Sequence, residues 1–131
     1  MDSYIIKLVL ICSLLIIGCD EKKTADGDVI VCTASIEPAI RINVFDKETG
    51  FPNACGVTAK IQDGDFIEEL SNLANDSCKD DLTFSLADER EGKYDITIIK
   101  EGHVDWPQYD ISVSSNLCHV NTISIQAYLE K

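Results

Sequence analysis

The chain has 131 residues, with 23 Asp and Glu against 11 Lys and Arg, for a formal net charge of −12. Such a balance argues against nucleic acid as a partner, because phosphate contact needs clustered Lys and Arg, and it reads as a well-solvated acidic surface. The length holds one small domain, which buries only a modest share of its surface and benefits from covalent staples.

The N-terminal segment is apolar from Tyr4 to Ile17, interrupted only by Lys7 and Ser13. It is shorter than the roughly 20 residues of a membrane-spanning helix and matches the apolar region of an export signal. Leu15-Ile16-Ile17-Gly18-Cys19 closes it, a small residue set directly before a Cys. This end resembles the lipobox of bacterial lipoproteins. The resemblance implies a signal peptide over 1–18, its removal, and Cys19 as an acylated first residue. An uncleaved anchor with a chance Cys is the alternative, but Asp20, Glu21, Lys22 and Lys23 follow at once and leave no room for more span. Two or three acyl chains, at about 0.8 kcal/mol per buried methylene, give durable anchoring where one does not. Asp20 resembles the residue that retains some lipoproteins on an inner membrane. Because Asp2 and Lys7 cancel, loss of 1–18 leaves the net charge at −12.

Residues 19–31 are expected to be the lipidated Cys and a flexible tether, since the stretch from Asp20 to Asp28 is polar and without apolar period. Of the six Cys, Cys12 leaves with the signal and Cys19 carries lipid. Cys32, Cys55, Cys78 and Cys118 remain for an oxidising compartment, where three pairings are open. The favoured one is Cys32 with Cys118, tying the approach of the first strand to the last, and Cys55 with Cys78, closing an inner loop. A zinc site fits poorly, because no two of these Cys have the close spacing of a zinc knuckle.

From Ile40 onward the apolar residues alternate. Ile40, Ile42 and Val44 interleave with Arg41, Asn43 and Phe45, and Asp46-Lys47-Glu48-Thr49-Gly50 supplies turn chemistry. Val57, Ala59 and Ile61 carry a second strand, and Asp63-Gly64-Asp65 turns it into Phe66 to Leu70. After a polar excursion from Ser71 to Asp80, Leu82, Phe84 and Leu86 alternate again. The charged run Asp88 to Gly92 leads into Tyr94, Ile96 and Ile98, Lys100-Glu101-Gly102 turns once more, and strands follow around Ile111 and Val113 and over Ile123, Ile125, Ala127 and Leu129. This pattern predicts an all-β chain, an antiparallel β-sandwich of about seven strands over 32–131. Gly50, Gly64 and Gly102 are expected at positive φ, and Tyr94 on a buried face.

The run Ile40 to Pro52, read as an apolar-alternating strand, Asp, two residues, Thr-Gly, one residue, Pro, resembles the opening of carboxypeptidase regulatory-like domains. Gly92-Lys93-Tyr94-Asp95-Ile96-Thr97-Ile98 is similar to the later "G.Y.v.v" strand of that family, and Cys118-His119-Val120 resembles a subgroup carried by lipoproteins. The match runs from Ser35 to Leu129, with His103 standing where the family has Tyr or Phe. The resemblance implies a prealbumin-like sandwich with Greek-key, Ig-like connectivity and a non-catalytic role in binding or presenting other molecules.

An enzymatic reading has little to stand on. His103 sits at a turn and His119 beside a Cys. The sequence has no Gly-x-Ser-x-Gly, His-Glu-x-x-His or phosphate-cradling loop, and the chain ends Ala127-Tyr128-Leu129-Glu130-Lys131 rather than in the motif of a transthyretin-like hydrolase. Trp106 and Tyr109 are candidate ligand-binding residues, since exposed rings stack on pyranose faces, although the Trp of a small domain is usually buried. Asp63, Asp65, Asp76, Asp80, Asp81, Asp88 and Glu89 crowd three loops that calcium would favour, but no spacing matches an EF-hand, and such acids also keep sheet edges soluble. The sequon Asn75-Asp76-Ser77 is expected to be idle. The expectation is a lipid-anchored cell-envelope protein in the periplasm or outside the cell, without catalysis, metal or cofactor, and with an envelope protein or a glycan as partner.

Overall fold

The structure is a computed structural model and describes Lys22, Lys23, Gly27 and residues 29–131. The expected signal over 1–18 and the lipidated Cys19 lie outside the described residues. The chain divides into two units, Met1–Val31 and Cys32–Lys131. In the first, β1 (Lys22–Lys23) pairs with β2 (Val29–Ile30) antiparallel. The second contains seven strands: β3 (Pro38–Asp46), β4 (Val57–Asp63), β5 (Phe66–Asn72), β6 (Thr83–Asp88), β7 (Gly92–Lys100), β8 (Trp106–Val113) and β9 (Ile123–Leu129). They form an all-β sandwich of two sheets, ordered β6-β3-β9 and β5-β4-β7-β8.

Period-two alternation decides which residues form the core, because successive side chains of a strand point to opposite faces. Ile40, Ile42 and Val44 of β3, Val57, Ala59 and Ile61 of β4, Tyr94, Ile96 and Ile98 of β7, and Ile125, Ala127 and Leu129 of β9 all turn inward into one apolar cluster. Arg41, Asn43 and Phe45, lying between them, face out. The four-stranded sheet is built from two hairpins. Gly64 at φ 59° turns β4 into β5, and Gly102 at φ 74° turns β7 toward β8.

The three-stranded sheet is assembled differently. β3 is antiparallel to β6 but parallel to β9, with Ile40 opposite Ile123 and Asp46 opposite Leu129. The sandwich is therefore mixed at this one pair, because its last strand returns from the other sheet and runs beside the first in the same direction. Asp46 to Gly50 does not join two strands of one sheet. It folds the chain back so that Phe45 bridges Pro52, after which the backbone crosses to β4 in the opposite sheet. The Asp46 carboxylate accepts bonds from the Glu48 and Thr49 amides and the Thr49 hydroxyl. Those donors, the Thr49 amide first, hold its pKa below the usual carboxylate value.

Two disulfides close the domain, Cys32–Cys118 with Cα atoms 5.3 Å apart and Cys55–Cys78 with Cα atoms 5.5 Å apart. The first links the chain before β3 to the segment before β9, and the second links the β3–β4 crossing to the β5–β6 crossing. At the far end of the four-stranded sheet, Tyr94 is fully buried and its hydroxyl donates to the Arg90 carbonyl at 2.7 Å. Arg90 donates in turn to that hydroxyl and to Asp63 while lying 4.1 Å above the Phe66 ring. These bonds, that to Tyr94 first, raise the guanidinium pKa above its ordinary value. Gly92 allows this knot, since a Cβ there would sit 2.5 Å from Asp63 Oδ2 and 2.9 Å from Arg90 Nη1.

Candidate functional site

Trp106 and Tyr109 share β8 but not a face. Trp106 pairs with the buried Ile98 and packs against the core, whereas Tyr109 is 65% exposed. Three positions apart on a strand, side chains fall on opposite sides. A bulge follows directly. The register with β7 slips between Tyr94 and Ile96, and Asp110, at φ 61°, receives the Lys93 ammonium while its amide donates to Asp95. The two rings thus make no common platform for a sugar.

Trp106 instead meets residues that the sequence did not single out. With Lys47, Val104, Asp105, Tyr128 and Glu130 it lines a shallow groove of about 270 Å³. The parallel register sets Tyr128 beside Phe45 on the outer face of the three-stranded sheet, and their rings stack at 5.4 Å with 25° between planes. A Lys47–Glu130 ion pair crosses the groove and lowers the Glu130 pKa. The signal was present in the sequence, for Tyr128 is the large aromatic at an outward position of β9, where Ser124 and Gln126 are small or polar. A second depression, of about 400 Å³, lies beside the inner disulfide and is lined in part by Cys55, Thr58, Ser71 and Lys100. Lys100 donates to the carbonyl and side-chain oxygens of Asn53, and burial pushes its pKa down.

The two histidines have clear partners. His103 Nδ1 lies 3.1 Å from the Glu101 carbonyl, which can only accept, so that nitrogen carries the proton and Nε2 faces the Asn53 amide at 3.5 Å. It ties the β7–β8 turn to the β3–β4 crossing. His119 Nδ1 sits 2.7 Å from Glu89 Oε1, and its Nε2 sits 2.9 Å from Thr33 Oγ1. Glu89, at φ 50°, also accepts from the amides of Glu37 and Val120. The Glu37 amide is the main reason its pKa falls below the ordinary value, followed by His119. A hydroxyl, an imidazole and a carboxylate stand here in the order of a nucleophile relay. The same bonds splice the segments around Cys32, Glu89 and Cys118 into one clamp, with Thr33 also bonded to Ser35 at 2.9 Å. Glu89 and Thr33 were the partners missed, because they lie far from His119 in sequence.

The acidic loops do not converge. Asp63 is engaged by Arg90 and Asp80 accepts the Cys55 amide at 3.0 Å. Among the described residues no three His, Cys, Asp or Glu side chains are arranged to hold a metal ion, and no helix is long and apolar enough to cross a membrane. No family model, curated protein or solved structure matches the chain.

Proposed function

We propose that this chain is a lipid-anchored protein of a bacterial cell envelope, whose carboxypeptidase regulatory-like sandwich binds or scaffolds a partner and does not catalyse. The observation that carries the reading is the pair of disulfides, which brace opposite segments of a small domain and belong to an oxidising compartment. The end of the apolar run at Gly18-Cys19 supplies the anchor, and the seven strands in two sheets agree with the implied sandwich. Under this reading the His119–Glu89–Thr33 bonds are a clamp on the chain's entry to the sandwich.

Intact mass of the mature protein from a lipoprotein-processing host tests the anchor. Diacyl or triacyl addition on residue 19, lost in Cys19→Ser, is the expected result, and an unmodified Cys19 overturns it. Recovery of a specific envelope protein with the natively lipidated, oxidised chain, and not with the reduced one, tests the scaffold.

Glycan binding is a second reading, favoured by the groove between Trp106 and Tyr128. Titration with envelope polysaccharides should then show binding that both Trp106→Ala and Tyr128→Ala abolish and Tyr109→Ala leaves intact.

A further inference from the structure

The lysines of the sandwich are used in different ways. Lys47 and Lys93 each form an ion pair, with Glu130 and Asp110. Lys100, the last residue of β7, is half-buried, and its side-chain nitrogen instead meets the carboxamide of Asn53, donating to Oδ1 and, at 3.1 Å, to the Asn53 backbone carbonyl. A nitrogen bonded to an amide oxygen lies close to the carbon that carries it, since a C=O bond is only about 1.2 Å long.

Both partners are held in place by backbone bonds. Asn53 donates its amide to the Val44 carbonyl at 2.9 Å and precedes the fully buried Ala54, whose amide is bonded to the Asp80 carbonyl. Lys100 stands in register with Val57 of β4, and its carbonyl accepts the His103 amide at 3.1 Å. His103 supplies a third group, for its unprotonated Nε2 faces Asn53 Nδ2 at 3.5 Å. An amine, a carboxamide and an imidazole thus meet from three segments of the chain.

We infer that Lys100 and Asn53 join spontaneously in an isopeptide bond, with His103 as the proton shuttle. Lys100 first gives its charging proton to water. The Nζ lone pair adds to Cγ, and the carbonyl π pair moves onto Oδ1. The proton then in excess on Nζ passes to His103 Nε2 and on to Nδ2. As the C=O bond re-forms, the Cγ–Nδ2 bond breaks with its electron pair on nitrogen, and ammonia leaves. One secondary amide and one ammonia result, so nothing is oxidised or reduced. Burial favours the neutral amine by pushing the Lys100 pKa down, while Asp80 and Asp46 pull the other way and Lys131 adds to the fall. Fixed contact does the rest, because a positioned pair needs no encounter. Lys100 also lines the depression of about 400 Å³ beside the inner disulfide, which gives ammonia a way out. The bond ties β7 of the four-stranded sheet to the segment bonded to β3, and so joins the two sheets covalently.

Peptide mapping of the full chain, reduced and unfolded before digestion, tests this. Trypsin should release Glu48–Lys60 joined to Tyr94–Lys131, uncleaved after Lys100 and lighter by one ammonia than the two peptides together. Lys100→Arg and Asn53→Ala should give unjoined peptides of full mass. In freshly synthesised His103→Ala the joined peptide should accumulate about a hundredfold more slowly than in the wild type. Because the joined peptide is read in the wild type, misfolding of a variant cannot mimic it. Unjoined peptides of full mass from the wild type overturn the inference. So does ammonia loss confined to Glu48–Lys60, which marks cyclisation of Asn53 onto the backbone, and equal accumulation in His103→Ala overturns the shuttle.

Discussion

The two sheets of the sandwich are held together by contacts of different range. In the four-stranded sheet, β4 and β5 are successive, as are β7 and β8, and each pair closes through a short turn. In the three-stranded sheet no two neighbours are successive, for β3 lies between β6 and β9. Closing a long loop costs more entropy than closing a short one, so the second sheet depends on what secures distant segments. Cys32–Cys118, with a sequence separation of 86, and the Glu89–His119 clamp both do that for the three-stranded sheet, while the Arg90–Tyr94 knot sits between neighbours in the chain.

The largest effects should come from the staples. In the chain-entropy account, removing Cys32–Cys118 by a double Cys→Ser change costs roughly 4.6 kcal/mol and removing Cys55–Cys78 roughly 3.4 kcal/mol. Urea unfolding checks the ranking, and amide exchange should show β3 and β9 losing protection first in the outer variant. A larger loss from the inner bond would break the comparison between the sheets. Next, Ile42→Ala, which empties a fully buried position at the centre of the three-stranded sheet, is expected to cost about 3 kcal/mol in the same measurement. Gly92→Ala acts on the other sheet. Its Cβ displaces Asp63 from Arg90, and the expected loss is about 2 kcal/mol. If Gly92→Ala is no worse in the wild type than in Asp63→Ala, the close approach to Asp63 is not its cause.

Acid should act more gently, and mainly on the three-stranded sheet. Asp46 and Glu89 have pKa values below their ordinary 3.8 and 4.5, chiefly because the Thr49 and Glu37 amides donate to their charged forms. A lowered folded value means stability that is complete above the unfolded value and is lost as pH falls through the folded one. Denaturant midpoints should therefore hold near about pH 6 and decline below about pH 4. Asp46→Asn and Glu89→Gln should each flatten part of that decline. An equally steep decline in both variants would assign the acid sensitivity to other carboxylates.

Much of the fold was legible in the chain because it depends on neighbours in sequence. Alternation at Ile40, Ile42 and Val44, and again at Ile123 to Leu129, named the inward residues, and the glycines at 50, 64 and 102 marked turns that need positive φ. The candidate sites were less legible. Trp106 and Tyr109 are close in sequence, and the pleat of β8 sends them to opposite sides. Tyr128 and Phe45 are far apart in sequence, and the register of two parallel strands stacks them. His119 could be read as a turn residue beside a Cys, but not as the partner of Glu89.

The sequence by itself determined the strand class, the faces and the turns, since backbone sterics and the period of two act within a few residues. Only the tertiary structure decided that β9 runs parallel to β3 and that Glu89 and Thr33 meet His119. Those outcomes depend on which distant segments close on one another, where a common core and the entropy of long loops outweigh any local preference.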